Sequence, residues 1–180
     1  MMNLIAWAIV ISEISFWIVI LAGLVARYIL KRKKMGFVLL ALTPLIDFML
    51  LVTTSIDLSR GSTASTAHAL AAVYIGVSLV FGKSMIEWAD ERFRYFATKQ
   101  GSKRVKRYGI EHAKHYLKGT IKHVFAFLIG AGILFGLIAY VNDPSRTEAL
   151  SGVLKIWTLV LIIDFIITIS YFIWPKKLSK

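Results

Sequence analysis

The sequence predicts an all-α, polytopic membrane protein: a single bundle of about five transmembrane helices, N-terminus outside and C-terminus cytoplasmic. Three observations carry this. Of the 180 residues, 57% are hydrophobic, against about 45–50% in soluble domains, and the mean hydropathy is +0.68. Several apolar runs reach the roughly 18 residues that mark a spanning helix. The basic residues collect at the ends of those runs, as topology-setting charges do. A net charge of +12 in a soluble chain would suggest nucleic acid. Placed at run ends, it points to anionic lipid headgroups instead.

The first span covers about residues 3–28. Ser12 and Glu13 interrupt it, and its positive charge follows the run, at Arg27 and Lys31-Arg32-Lys33-Lys34. A cleavable leader has the opposite order. The second span, about 35–56, carries Thr43, Pro44 and Asp47. After the polar turn Ser59-Arg60-Gly61-Ser62 comes the third, about 64–85, whose helix is expected to continue through WADERFRYF. The fourth, about 124–141, ends at Asn142-Asp143-Pro144. The fifth, about 154–174, ends at Pro175-Lys176-Lys177. One domain, 1–180, is expected, with a basic cytoplasmic segment at 86–123. Of the 22 Lys and Arg residues, three (Arg60, Arg146, Lys155) fall on the outer side of this topology. The rest lie inside or at the inner boundary, which fixes the orientation.

Small residues recur at helical spacing: Ala64, His68, Ala72 and Gly76 in the third span, Gly132 and Gly136 in the fourth, Ala22 and Ala26 in the first. They let helix backbones approach closely, and packing within the chain is expected first. Segment 99–123 holds eleven basic residues or histidines. There Val105, Tyr108, His112 and Tyr116 form one face of a surface helix, and Lys103, Arg104, Lys106 and Arg107 are candidates for docking lipid or a partner.

Three carboxylates carry the candidate chemistry. Glu13, Asp47 and Asp164 each lie about ten to twelve residues into a span, roughly 15–18 Å deep at 1.5 Å per residue. An ionised acid there costs about 2.5–3.5 kcal/mol or more unless paired or hydrated, and no Lys or Arg sits at that depth. They form a candidate proton or cation site if they converge, or hydrogen-bonded bridges between helices if they do not. Pro44 frees the carbonyl of Leu40 one turn from Asp47, leaving it to a cation, a water or the Thr43 hydroxyl. A second group, Asp57, Arg60 and His68, marks the outer entrance, with Asp57 and Arg60 expected to pair and Ser62 or Thr63 to cap the third helix. It reads either as a pH-sensitive gate or as a polar turn closing the hairpin. Lys83 and Glu87 have the i,i+4 spacing of a pair along a helix.

Other chemistry finds little support. No Cys is present, so thiolate catalysis, disulfides and Cys-bound metals are excluded. His68 and His123 lie near opposite faces and cannot ligate one haem. His112 and His115 beside Glu111 form only a weak metal constellation. HExxH, GxSxG and Walker patterns are missing. No metal or cofactor is assigned, and an enzyme is disfavoured.

The stretches ISEISFW, GLVARY, LTPLIDFMLL, TSIDLSRG, HALAAVYIGVSLVFGK and WADERF resemble a family of bacterial integral membrane proteins labelled YmcC. The resemblance covers about residues 1–95 and loosens beyond them. It implies a bacterial plasma-membrane location and a compact multi-span bundle, and carries over no catalytic residue. Two functional readings follow. One is a transport or channel-like component with a buried acidic proton or cation site. The other is a non-transporting scaffold or accessory subunit whose basic segment binds anionic lipid or protein. The expected partners are the bilayer, its anionic headgroups, and a second copy or another membrane protein, not nucleic acid.

Overall fold

The computed structural model describes residues 4–98 and 108–175. Five helices run in sequence: α1 (Leu4–Leu24), α2 (Lys33–Ser59), α3 (Thr66–Thr98), α4 (Gly109–Val141) and α5 (Glu148–Ile173). Helix α1 continues through a π-helical turn, Val25–Ile29. Helices α2 to α5 are each long and apolar enough to cross a membrane, and Trp17–Ile29 forms a shorter apolar helix. The described residues contain no strand.

The helices pack as a chain of antiparallel hairpins. Helix α1 lies against α2, α2 against α3, and α3, α4 and α5 pack on one another. The α2–α3 and α4–α5 turns share one end of the bundle, because Arg146 of the second turn bonds to the first. We call this the turn end, and the opposite one, with Lys31 to Lys34 and Lys114 to Lys122, the basic end. Helices α3 and α4 are 33 residues each, roughly 50 Å at 1.5 Å per residue. That exceeds a hydrocarbon core of about 30 Å, so both project past it.

Two features differ from the sequence expectation. Residues 109–123 do not form a separate surface helix, since they are the first four turns of α4. Helix α3 begins at Thr66, and its first turn is closed from within rather than by Ser62 or Thr63: the Ser65 N–H donates to His68 Nδ1 at 3.1 Å. A side chain three residues past the N-cap thus reaches back to the cap.

Close helix approach is set by glycine, though not by every expected one. A methyl on Gly76 would strike the Ala126 carbonyl of α4, and one on Gly130 would strike the Trp157 ring. A methyl on Gly36 would lie 2.8 Å from the Gly23 carbonyl, so α1 and α2 cross closely too. Gly132 and Gly136 face away: both are exposed, and a methyl at either would meet nothing within 4 Å. The reason is helical phase. Ala126, Gly130, Leu134 and Leu137 form the buried stripe of α4, and positions 132 and 136 point elsewhere.

The apolar core fills the half of the bundle nearer the turns. It joins Leu50 and Leu51 of α2, Ala69, Ala71, Ala72 and Ile75 of α3, Ala131, Leu134 and Leu137 of α4, and Leu150 with Leu154 of α5. Toward the basic end the α4–α5 seam becomes polar.

Candidate functional site

Asp164 of α5 faces α4 rather than the other acids. His123 lies 18 residues before the end of α4 at Val141, and Asp164 lies 16 residues after the start of α5 at Glu148. In an antiparallel hairpin these near-equal distances bring them level. His123 Nδ1 stands 3.3 Å from Asp164 Oδ2. Two turns back along α5, Trp157 donates its indole N–H to His123 Nε2 at 3.1 Å. Indole nitrogen only donates, so Nε2 is the accepting nitrogen. The ring is therefore the neutral tautomer with its proton on Nδ1, donated to the carboxylate. Both His123 and Asp164 keep about a fifth of their side-chain surface exposed, 20% and 19%.

Polar groups continue from this pair toward the basic end along the same seam. Thr168 donates to the Asp164 carbonyl at 2.8 Å and meets Thr120 of α4 at 2.7 Å. The Tyr116 hydroxyl interacts with the Asp164 carboxylate. Tyr116 and His112 both pack edge-on against Tyr171, at 4.9 and 4.8 Å between ring centres. The spacing 112, 116, 120, 123 places all four α4 residues on one helical face.

Asp47 occupies a separate place. It is 3% exposed on α2, and its Oδ2 is enclosed with no hydrogen-bond partner among the described residues. The carbonyl freed by Pro44 is taken locally: Thr43 Oγ1 donates to Leu40 O at 2.8 Å. No hydrogen bond joins Asp47 to Asp164, whose carboxylate faces His123 and Tyr116 of α4. Of the two alternatives the sequence leaves open, these two acids do not take the convergent one, because α3 and α4 lie between their helices. Glu13 lies on α1, its side chain outside the described part. Lys103, Arg104, Lys106 and Arg107 lie outside the described residues.

At the turn end, Asp57 and Arg60 do not form the expected ion pair, and Arg60 is exposed. The backbone closes this turn, with the Arg60 and Ser62 N–H groups donating to the Asp57 carbonyl. The organising cation is Arg146. Its Nε and Nη2 donate to the Ser62 carbonyl at 3.0 and 2.8 Å, and Nη2 also donates to the Leu58 carbonyl. The Ala64 N–H returns a bond to the Arg146 carbonyl at 2.8 Å. An arginine thus satisfies carbonyls that the C-terminus of α2 leaves open. His68 is buried at 5% exposure and caps α3 through the nitrogen that accepts from Ser65. In the α4–α5 turn, hydrogen bonds from Ser145 hold the Asp143 carboxyl below its usual range.

Near the basic end, Lys122 donates to Ser84 of α3 at 2.7 Å, and Lys83 lies 4.0 Å from Glu87. Lys114, Lys118 and Lys122 form one exposed stripe on α4. Among the described residues no group of His, Asp and Glu has the arrangement of a metal site.

Of these groups, Asp164 is visible from the sequence, whereas the roles of His123 and Trp157 in the seam and of Arg146 at the turn end are not. The signal that finds the first is the count from the α4–α5 turn, which aligns His123 with Asp164. Counting from the hydropathy edges instead puts His123 at a boundary and Asp164 at mid-span.

Apolar helices of spanning length, packed as antiparallel hairpins around a partly polar seam, define a polytopic helical membrane protein. A Bacillus subtilis protein described as "Uncharacterized membrane protein YmcC" is 60% identical over 176 residues, covering 98% of this chain and 95% of its own length. This chain belongs to that YmcC family. The likeness expected over residues 1–95 thus extends across nearly the full chain. No family model matches the chain, and no solved structure matches it.

Proposed function

We propose that this protein sits in the bacterial plasma membrane, basic end in the cytoplasm, and binds a proton at the His123–Asp164 pair as part of a transport or channel-like activity. The observation that carries the reading is the placement of the His123 ring between the Trp157 indole N–H and the Asp164 carboxylate. The ring's Nδ1 faces the carboxylate and its Nε2, which accepts from Trp157, carries a lone pair that a proton can take. Histidine as a residue type is the common proton carrier of protein sites. An intramembrane acid is costly unless it has such a partner, and an acid with a titratable partner in a spanning seam is by default a functional candidate. Asp47, buried without a partner for Oδ2, is a second candidate acid on a separate helix. Glu13 completes the set of intramembrane acids.

The test is proton and cation flux into liposomes holding the purified protein, wild type beside Asp164→Asn, His123→Gln and Asp47→Asn. Flux lost in Asp164→Asn with the fold intact supports the pathway. No flux with any ion or pH, together with lower thermal stability in Asp164→Asn, makes the pair a structural bridge.

A second reading has one observation behind it. The exposed Lys114, Lys118 and Lys122 stripe lies on α4, in the same basic stretch of sequence as Lys103 to Arg107, and such clusters attract anionic lipid. The protein would then act as a scaffold or accessory subunit. Unchanged liposome binding and partner capture after neutralising both clusters would refute it.

A further inference from the structure

The seam around His123 is not symmetric along the membrane normal. From the basic end it is polar at each successive level of α4: His112, Tyr116, Thr120, then His123. Each is met by a polar or aromatic group of α5. Past His123 the character changes within about two turns. Trp157 lies across Gly130, and beyond it Leu134, Leu137, Leu150 and Leu154 fill the seam. A close-packed apolar interior of this kind offers water no hydrogen-bonding partners. On the basic side Thr120 and Thr168 are buried as well, but they supply hydroxyls that can relay a proton.

We infer that the His123–Asp164 pair exchanges protons with the basic end alone, and that Trp157 closes the route toward the turn end. The inference rests on the proton-binding reading above and adds its direction. A proton arriving from the basic end adds to the Nε2 lone pair of His123, and the pair goes from a net charge of −1 to zero. The imidazolium keeps its bond to the Asp164 carboxylate, now charge-assisted on both sides. Nε2 has become a donor and faces the Trp157 indole, itself only a donor. The Trp157–His123 hydrogen bond therefore breaks on loading, and the element that closes the seam is the one that senses the proton. No other bond is made or broken.

The surrounding charges do not compete for this role. On α5 the titratable neighbours are Asp164 and Tyr171, and on α4 they are Tyr116 and His112. From α3, Lys83 and Glu87 pair with each other at the surface, and Ser84 holds Lys122. Asp47 of α2 bonds to neither member of the pair.

The experiment uses the full chain with Trp157 as its sole tryptophan, Trp7, Trp17, Trp88 and Trp174 being replaced by Phe. The natural absence of cysteine lets Lys114→Cys, labelled with an impermeant maleimide, show which end faces out of each liposome. Internal and external pH are then stepped separately while Trp157 emission is followed. The expected result is a reversible emission shift when pH changes at the basic end, none when it changes at the turn end, and none from either side in His123→Gln. A shift driven from the turn end, or equally from both, would overturn the one-sided route while leaving proton binding in place. Loss of the His123-dependent shift from both sides would remove the proton-binding reading itself. Where the four Phe replacements unfold the bundle, the ring-nitrogen signals of His123 in the otherwise native chain, followed through the same side-specific pH steps, distinguish the same outcomes.

Discussion

Gly130→Ala is the substitution that most directly links the packing of the bundle to its polar seam. The added methyl would lie 2.6 Å from Trp157 Cη2, closer still to Cζ3, and 3.0 Å from the Ala72 carbonyl. Backbone on one side and a buried ring on the other leave little room to yield. Overpacking of this kind costs about 1–3 kcal/mol. A displaced indole also loses its bond to His123 Nε2, about 1 kcal/mol more. The better helix propensity of Ala returns about 1 kcal/mol. The net expectation is a destabilisation of about 1–3 kcal/mol. Trp157→Phe removes the two clashing ring atoms, so in that background Gly130→Ala should cost little. The double-mutant cycle should then show a coupling of about 1–3 kcal/mol, within the range for residues in contact. Equilibrium unfolding of detergent-solubilised protein by a denaturing detergent measures all four corners. Additivity within about 0.5 kcal/mol, the behaviour of distant sites, would refute the contact and with it the role of Trp157 as the closing element.

Three further outcomes are expected from the same assay. Arg146→Ala should destabilise the bundle by about 2–4 kcal/mol, since hydrogen bonds from a charged group are worth about 1.5–3 kcal/mol each: the Ser62 carbonyl loses its Arg146 bonds, while the Leu58 carbonyl keeps the Gly61 N–H. Arg146→Lys should recover only part, because one ammonium cannot reproduce the planar fork. Gly132→Ala and Gly136→Ala should be neutral or gain up to about 1 kcal/mol from helix propensity, and a clear loss would mean that this face packs against another molecule. His68→Ala should cost about 0.5–2 kcal/mol, the range for loss of a helix cap, and a cost near zero would show that the Ser65 bond contributes nothing.

Much of the architecture is legible in the sequence because lipid leaves few choices. Every backbone polar group must be satisfied within the membrane, so long apolar runs can only be helices. Local consequences are legible too. Pro44 frees the Leu40 carbonyl, and the Thr43 hydroxyl takes it. Asn142-Asp143-Pro144 ends α4, with Asn142 in the left-handed conformation at φ 49°. Interhelical pairing is harder to read. The glycine pattern at 132 and 136 matches a packing motif, yet Gly130 two residues earlier carries the contact, a difference of helical phase that composition does not reveal. His123 and Asp164 are separated by 41 residues, and Arg146 clasps a turn 84 residues away. Such partners follow only from which hairpins stand side by side. The acids are visible one by one through their cost in lipid, whereas their partners depend on that arrangement.

Ring-nitrogen NMR of His123 in the folded protein, with the Trp157 indole N–H followed in the same sample, tests most directly whether His123 and Asp164 form a proton-binding pair sensed by Trp157. At alkaline pH the pair requires a proton on Nδ1 and an accepting Nε2. Acidification should add a second proton at Nε2 reversibly, and the indole N–H signal should move in step. A ring that stays singly protonated, with Trp157 unchanged until the fold is lost, would contradict the proton-binding role.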